Sequence, residues 1–173
     1  MLTVISGTNR PNSMTELVAD VYNSILSNKQ VEHKYLKLTQ VPHSFLHDTM
    51  YAERIGGFKA IQDSYIKPAD KFIIISPEYN GSIPGFLKLF IDACEIKPCY
   101  HGKKACLTGV ASGRAGNLRG LDHLTNILNH IKMRVFYNKL PISSIGNLVN
   151  EKGNLNTDTR TLIEQHIDEF IGF

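Results

Sequence analysis

Near the start of the chain, Ser6-Gly-Thr-Asn-Arg-Pro-Asn-Ser-Met-Thr15 combines hydroxyls, one arginine and the beginning of an apolar-periodic stretch. Backbone N–H groups at a helix N-terminus, with hydroxyls and a guanidinium beside them, hold anions. The segment lacks the Lys-Ser/Thr pair of a nucleoside triphosphate loop, and Asn9 and Asn12-Ser13 stand where a dinucleotide loop needs glycines. A phosphate monoester matches it better. Ser13-Met-Thr-Glu16 is also an S-x-x-E capping box, so Ser13 serves the helix whether or not an anion arrives, and Glu16 adds a negative charge nearby.

Two further stretches carry the marks of rigid, ligand-facing loops. In Ser76-Pro-Glu-Tyr-Asn-Gly-Ser-Ile-Pro-Gly85, prolines and glycines bracket Tyr79 and Asn80, which makes Tyr79 hard to bury and favours a ligand or subunit contact. Ala111-Ser-Gly-Arg-Ala-Gly116 is a Ser/Gly-rich turn whose Arg114 reads as a solvated charge or as an attractor for an anion. Gly109-Val-Ala-Ser-Gly113 has the wrong spacing for a nucleophile elbow, and no Asp-then-His order follows it, so acyl transfer is set aside.

Other chemistries find less support. His33, His43, His47, His101, His123, His130 and His166 never fall in H-E-x-x-H or at zinc-finger spacing with cysteine, and they read as surface or structural residues. Cys94 and Cys99 are five apart, which is not a C-x-x-C redox pair, and Cys94 and Cys106 read as buried apolar residues. Three cysteines without a signal peptide point to a reducing compartment, and the expectation is a cytoplasmic protein. The formal charge is +3 with basic residues scattered, Lys103-Lys104 being the one adjacent pair, so nucleic-acid binding has little support. No apolar run approaches the ~20 residues that cross a bilayer, so no membrane partner is expected.

These loops need elements to hold them. Leu2–Ser6 reads as a strand, and Ser13–Ser27 as a helix with Leu17, Val18, Val21, Tyr22 and Ile25 on one face. Val31–Leu38 is a second strand, followed by a long connection Thr39–Thr49 and a weaker helix near Tyr51–Ile66. Lys71–Ser76 holds the unbroken run Phe-Ile-Ile-Ile of a strand covered on both faces. Pro84 then opens a helix to about Ile96. Ala105–Ala111 is a fourth strand, and Leu118, Leu121, Leu124, Leu128 and Ile131 stripe the next helix. Met133–Asn138 is a fifth strand, Ser143–Asn156 a surface loop, and Asp158–Phe170 a last helix.

Strands alternating with helices require a parallel sheet with right-handed crossovers, here with expected order 2-1-3-4-5 in one domain over residues 1–173. Ligands in such α/β sheets sit beyond the carboxyl ends of the strands at the switch in order. That position gathers the three loops.

P-E-Y-N-x-S-x-P-G-x-L-K followed by an aliphatic residue, Asp and Ala, read from Pro77 to Ala93, resembles the signature of the NAD(P)H-dependent FMN reductase family, which includes azo, quinone and chromate reductases. The first loop is similar to that family's G-S-x-R-x-x-S phosphate loop, with Thr8 replacing Ser, and the likeness runs over nearly the whole chain. It implies a flavodoxin-like three-layer α/β sandwich with bound FMN and with NADPH or NADH as co-substrate. Thr8, Arg10, Ser13, Met14 and Thr15 would hold the phosphate. Pro77, Glu78, Tyr79 and Asn80 would lie along the isoalloxazine edge, Gly81 and Ser82 would complete that loop, and Ser112 and Gly113 would approach from the third. The long connection with His43, Phe45, Leu46 and His47 lies where the family often borders a neighbouring subunit's flavin, and a homodimer or homotetramer is implied. Hydride transfer through a flavin needs no protein acid or base. Backbone amides of Asn80 to Ser82, or of Ser112 and Gly113, would stabilise charge developing on the reduced ring, and the acceptor would be a flavin, quinone, azo compound or similar small molecule. Two rival readings are a flavodoxin-like electron carrier and a phosphate-ester-binding domain without turnover. Carriers are typically acidic, whereas this chain is basic.

Overall fold

The computed structural model describes residues 1–46, 50–51 and 56–173. Its sheet runs in the order β2-β1-β3-β4-β5, all pairs parallel, formed by β1 (Leu2–Ser6), β2 (His33–Lys37), β3 (Lys71–Pro77), β4 (Lys104–Val110) and β5 (Arg134–Val135). The order is the one that alternating strands and helices predict.

Buried parallel strands send alternate side chains to opposite faces. Phe72 and Ile74 of β3 enter one core with Leu87, Phe90 and Ile91 of α3 (Gly85–Ala93) and Leu121, Leu124 and Leu128 of α5 (Leu118–His130). Ile73 and Ile75 enter the other, with Val18 and Tyr22 of α1 (Met14–Asn28) and Ile163, Ile167 and Phe170 of α6 (Thr157–Gly172). Ser13 caps α1 by accepting from Glu16 N, and Asn156 caps α6 by accepting from Thr159 N.

Three expectations need correction. The fifth strand is not one run over Met133–Asn138: it breaks after Val135 and resumes as β6 (Leu140–Ile142), also parallel to β4. Ala105 pairs with Val135 and Thr108 with Leu140, so residues 136–139 span what Cys106 and Leu107 span on β4. The surplus lets Phe136 turn into the core while Tyr137 is 78% exposed. The helix from Pro84 ends at Ala93, and a separate turn, α4 (Ile96–Tyr100), follows. Ser143–Asn156 is not plain surface loop, because Ile145 and Leu155 are buried in the core shared by α1 and α6. The expected Tyr51–Ile66 helix holds over 56–66, as α2 (Gly56–Ile61) running into a π-helical turn at Gln62–Ile66, while residues 52–55 lie outside the described residues.

All three cysteines are buried and none forms a disulfide. His166 is buried too: its Nδ1 lies 2.7 Å from Tyr22 Oη, its Nε2 2.9 Å from the Asn138 carbonyl, and Cys106 Sγ is 3.3 Å from Nε2. Tyr22 Oη also meets Thr108 Oγ1 at 2.7 Å. Burial lowers the His166 pKa from its ordinary value and pushes the Tyr22 and Cys106 values up, so the cluster is uncharged at neutral pH. It ties α1 and α6 across the sheet face and buries no charge.

Candidate functional site

At the carboxyl ends of β1, β3 and β4 lies a cavity of about 290 Å³. Loop 1 contributes Arg10, Asn12, Ser13, Met14 and Thr15, and loop 2 contributes Pro77, Glu78 and Tyr79. Val110, Ala111 and Ser112 come from the end of β4 and loop 3, and Ile145 from the turn after β6. This is the switch point in strand order.

The α1 end of the cavity is a donor end. The first N–H groups of a helix have no acceptor within it. Ser13 Oγ takes that of Glu16 at 3.2 Å, which leaves those of Met14 and Thr15 without an acceptor among the described residues. Glu16 opposes an anion there less than its bare charge suggests, because Lys37 Nζ meets its Oε1 at 2.6 Å and Asp20 Oδ1 at 3.1 Å. Burial alone would lower the Lys37 pKa, but the two carboxylates leave it raised, so the ammonium stays charged and offsets part of the negative charge beside the cavity. Arg10, exposed at the rim, adds a cation.

Loop 2 leaves β3 as a tight hairpin turn. Tyr79 N donates to Ser82 O at 2.9 Å and Ser82 N to Tyr79 O at 3.1 Å. Asn80 and Gly81 between them have φ of 53° and 75°, the positive values that a type I′ turn requires and that Asn-Gly adopts readily. Ser82 Oγ lies 2.8 Å from His123 Nδ1 on α5. On the near side, Tyr79 Oη lies 2.9 Å from Thr8 Oγ1, and Thr8 Oγ1 accepts from Arg10 N at 3.2 Å. One hydroxyl pair thus couples loops 1 and 2.

Of the residues singled out from sequence, Arg10, Ser13, Met14, Thr15, Pro77, Glu78, Tyr79 and Ser112 line this one cavity. Thr8, Asn80, Gly81, Ser82 and Gly113 do not line it. Thr8 is 1% exposed, and its hydroxyl is engaged with loop 2. The Ser82 amide closes the turn and is not a free donor, whereas those of Asn80, Gly81, Ser112 and Gly113 have no acceptor among the described residues. His43 packs edge-on against Phe86, with ring centroids 5.8 Å apart. His47 lies outside the described residues.

Sequence reasoning missed Asn12, Val110, Ala111 and Ile145 in the lining, and Asn117 behind it. Asn12 and Ala111 sat inside stretches already marked. Ile145, with Leu148 and Val149, formed an apolar cluster inside the supposed surface loop and was the one available signal for that wall.

The cavity's chemistry fits FMN: unpaired helix N–H groups and a cation for the phosphate, then a wall of Pro77, Tyr79, Val110 and Ala111 for a flat ring, with exposed Ser112 at the mouth. Among the described residues, no group of three His, Cys, Asp or Glu is placed to hold a metal ion.

Comparison with known proteins agrees with this geometry. Residues 1–146 match the family model described as NADPH-dependent FMN reductase. A 2-hydroxy-1,4-benzoquinone reductase from a Burkholderia species is 25% identical over 181 aligned positions, covering 98% of this chain and 93% of the relative. An NAD(P)H-dependent FMN reductase from Pseudomonas aeruginosa is 34% identical over 106 positions, 59% of this chain and 57% of that protein. In structure, the chain is similar to FerB, a flavoenzyme NAD(P)H:(acceptor) oxidoreductase from Paracoccus denitrificans, with a TM-score of 0.80 at 21% identity over 99% of this chain and 94% of that one. That likeness establishes the flavodoxin-like fold. With the matched family model covering most of its length, the chain belongs to the NADPH-dependent FMN reductase family, FMN-dependent oxidoreductases with NAD(P)H as co-substrate.

Proposed function

We propose that the chain binds FMN in this cavity, phosphate on the α1 N-terminus and ring against loops 2 and 3, and passes electrons from NAD(P)H to a quinone-type acceptor. The observation that carries the reading is the continuity of one cavity from the unpaired Met14 and Thr15 amides to the Pro77–Tyr79 and Val110–Ser112 walls. Anionic phosphate is favoured where helix dipole, Arg10 and N–H donors converge. The quinone class is supported by the name of the Burkholderia relative, whose length this chain nearly spans.

FMN held there would supply the redox chemistry, a two-electron relay between NAD(P)H and the acceptor. The protein's share is to bind, orient and expose. Ser13, Met14, Thr15 and Arg10 fix the phosphate, Tyr79 and Thr8 lock loop 2 to loop 1, and the mouth at Ser112 stays open for nicotinamide and acceptor in turn. One site used alternately by two substrates gives ping-pong kinetics. Full reduction of a quinone takes two electrons and two protons; hydride brings one proton and solvent the other.

The reading extends to a homodimer or homotetramer in a reducing cytoplasm. It is supported by the family likeness and by three buried thiols without a disulfide. No described helix is long and apolar enough to cross a membrane.

The test is anaerobic. Protein loaded with FMN and freed of excess is mixed with NADPH or NADH, and the visible flavin absorbance is followed before and after addition of benzoquinone. Bleaching by a nicotinamide and recovery with the quinone is the expected result. A bound flavin that neither nicotinamide bleaches would replace the reductase by an electron carrier, and failure to retain flavin would remove the FMN reading.

A further inference from the structure

Asn117, at the foot of loop 3, is completely buried, and its Nδ2 donates to the carbonyls of Ser76 at 3.0 Å and Pro77 at 2.9 Å. A side-chain amide has two N–H bonds, so each carbonyl receives one. The slot that holds it is cut by two glycines. A Cβ at Gly109 would lie 2.1 Å from Gly116 O and 3.0 Å from Asn117 Cβ, and a Cβ at Gly120 would lie 2.1 Å from Asn117 Oδ1. Asn117 itself has φ of 67°, a left-handed conformation that asparagine tolerates better than most residues.

That conformation takes Asn117 away from the extended geometry of a helix cap, and it makes no side-chain cap bond to α5. Its Oδ1 is buried with no hydrogen-bond partner among the described residues and rests against the positive end of α5. An orphaned acceptor is destabilising. Both side-chain hydrogen bonds of Asn117 run to the base of loop 2, which the side chain grips.

The grip orients the base of loop 2. The Pro77 carbonyl is held by Asn117, and the N–H of the same peptide, on Glu78, donates to Val110 O at 3.1 Å. Ser76 O accepts from the same Nδ2, and Pro77 O also accepts from Ser76 Oγ at 3.2 Å, so both carbonyls at the end of β3 are engaged within the protein. Beyond Glu78 the turn closes on itself and leaves the Asn80 and Gly81 amides unpaired among the described residues.

Building on the FMN reading above, we propose that Asn117 is a positioning residue for the flavin ring. By engaging the Ser76 and Pro77 carbonyls, it fixes Pro77, Glu78 and Tyr79 along the ring and keeps two acceptors occupied, which favours the electron-rich reduced cofactor over the oxidised one.

The test is the midpoint potential of FMN bound to the full-length protein, measured for wild type, Asn117→Gly and Asn117→Asp. Glycine keeps the left-handed backbone and deletes the clamp; aspartate keeps the shape but turns an acceptor toward the two carbonyls. An α6 variant, Ile163→Val or Ile163→Ala, whichever better matches the Asn117→Gly loss in Tm, is the stability control. Expected is a roughly tenfold greater loss of affinity for reduced than for oxidised FMN in Asn117→Gly, a potential about 30 mV more negative, with the control unshifted. An unchanged potential in both Asn117 variants, or an equal shift in the control, would overturn the inference while leaving the FMN reading intact. Wild-type protein that fails to bind FMN would overturn both. Should the glycine variant not fold, the isosteric aspartate variant reads the same shift.

Discussion

The two ends of the cavity are built on different principles. The end proposed for the phosphate is local: cap, unpaired amides and arginine all lie within Arg10–Glu16, and the sequence closes them into a unit through the Ser13 cap. The end proposed for the ring is assembled from afar. Tyr79 is tied to Thr8, 71 residues earlier, and the Ser76 and Pro77 carbonyls to Asn117, some 40 residues later. A local anion site tolerates single changes by losing one donor, whereas a turn held by distant clamps moves as a whole when one is cut.

The sharpest way to break the contrast is Gly109→Ala. The new Cβ would meet Gly116 backbone oxygen at 2.1 Å, which no side-chain rotation relieves. Overpacking of this kind destabilises by roughly 3 kcal/mol, read as a lower urea midpoint, and FMN contact on the loop 2 side should be lost before the phosphate grip. A midpoint equal to wild type would mean that the Asn117 slot is not rigid.

Acid should loosen the other side. Burial lowers the His166 pKa in the folded chain, so the unfolded chain binds the extra proton. The linked stability is fully present above the unfolded value of about 6.5 and falls as pH drops through it toward the folded value, by at most about 1.4 kcal/mol per pH unit. Protonation removes the Nδ1 acceptor facing Tyr22 on α1. Urea midpoints across this range should fall toward acid in wild type and less steeply in His166→Gln. Identical slopes would assign the acid response elsewhere.

Smaller effects separate the two ends. Ser13→Ala should cost about 1 kcal/mol of stability through the lost cap and weaken FMN without weakening riboflavin, which lacks the phosphate. Tyr79→Phe should cost roughly 0.5–1 kcal/mol through one hydrogen bond and weaken both flavins alike, because it frees loop 2 and not the anion site. If Tyr79→Phe spared riboflavin, the Thr8–Tyr79 bond would belong to the phosphate end.

What the sequence disclosed follows the same division. Strand order, the core strand Phe72–Ile75 and the Arg10–Thr15 lining were legible, because periodicity and capping are local signals. So was a rigid loop around Tyr79 and Asn80, since adjacent prolines and glycines carry it. The break between Val135 and Leu140 was not, because it depends on a mismatch in length with β4 and on Phe136 finding space between α6 and the sheet. Ile145 was hidden for the same reason. Nothing in the sequence singled out Asn117, because its bonds to the end of β3 form only once Gly109, Gly120 and that strand end are brought together.

The most direct measurement of the central claim is the quenching of flavin fluorescence by the wild-type protein, with FMN and riboflavin titrated side by side, and by the double variant Arg10→Ala, Ser13→Ala. The account predicts that wild type prefers FMN by at least about tenfold, ~1.4 kcal/mol, and that the double variant loses most of that preference while binding riboflavin as before. Equal affinity of wild type for the two flavins would contradict a phosphate seated on α1.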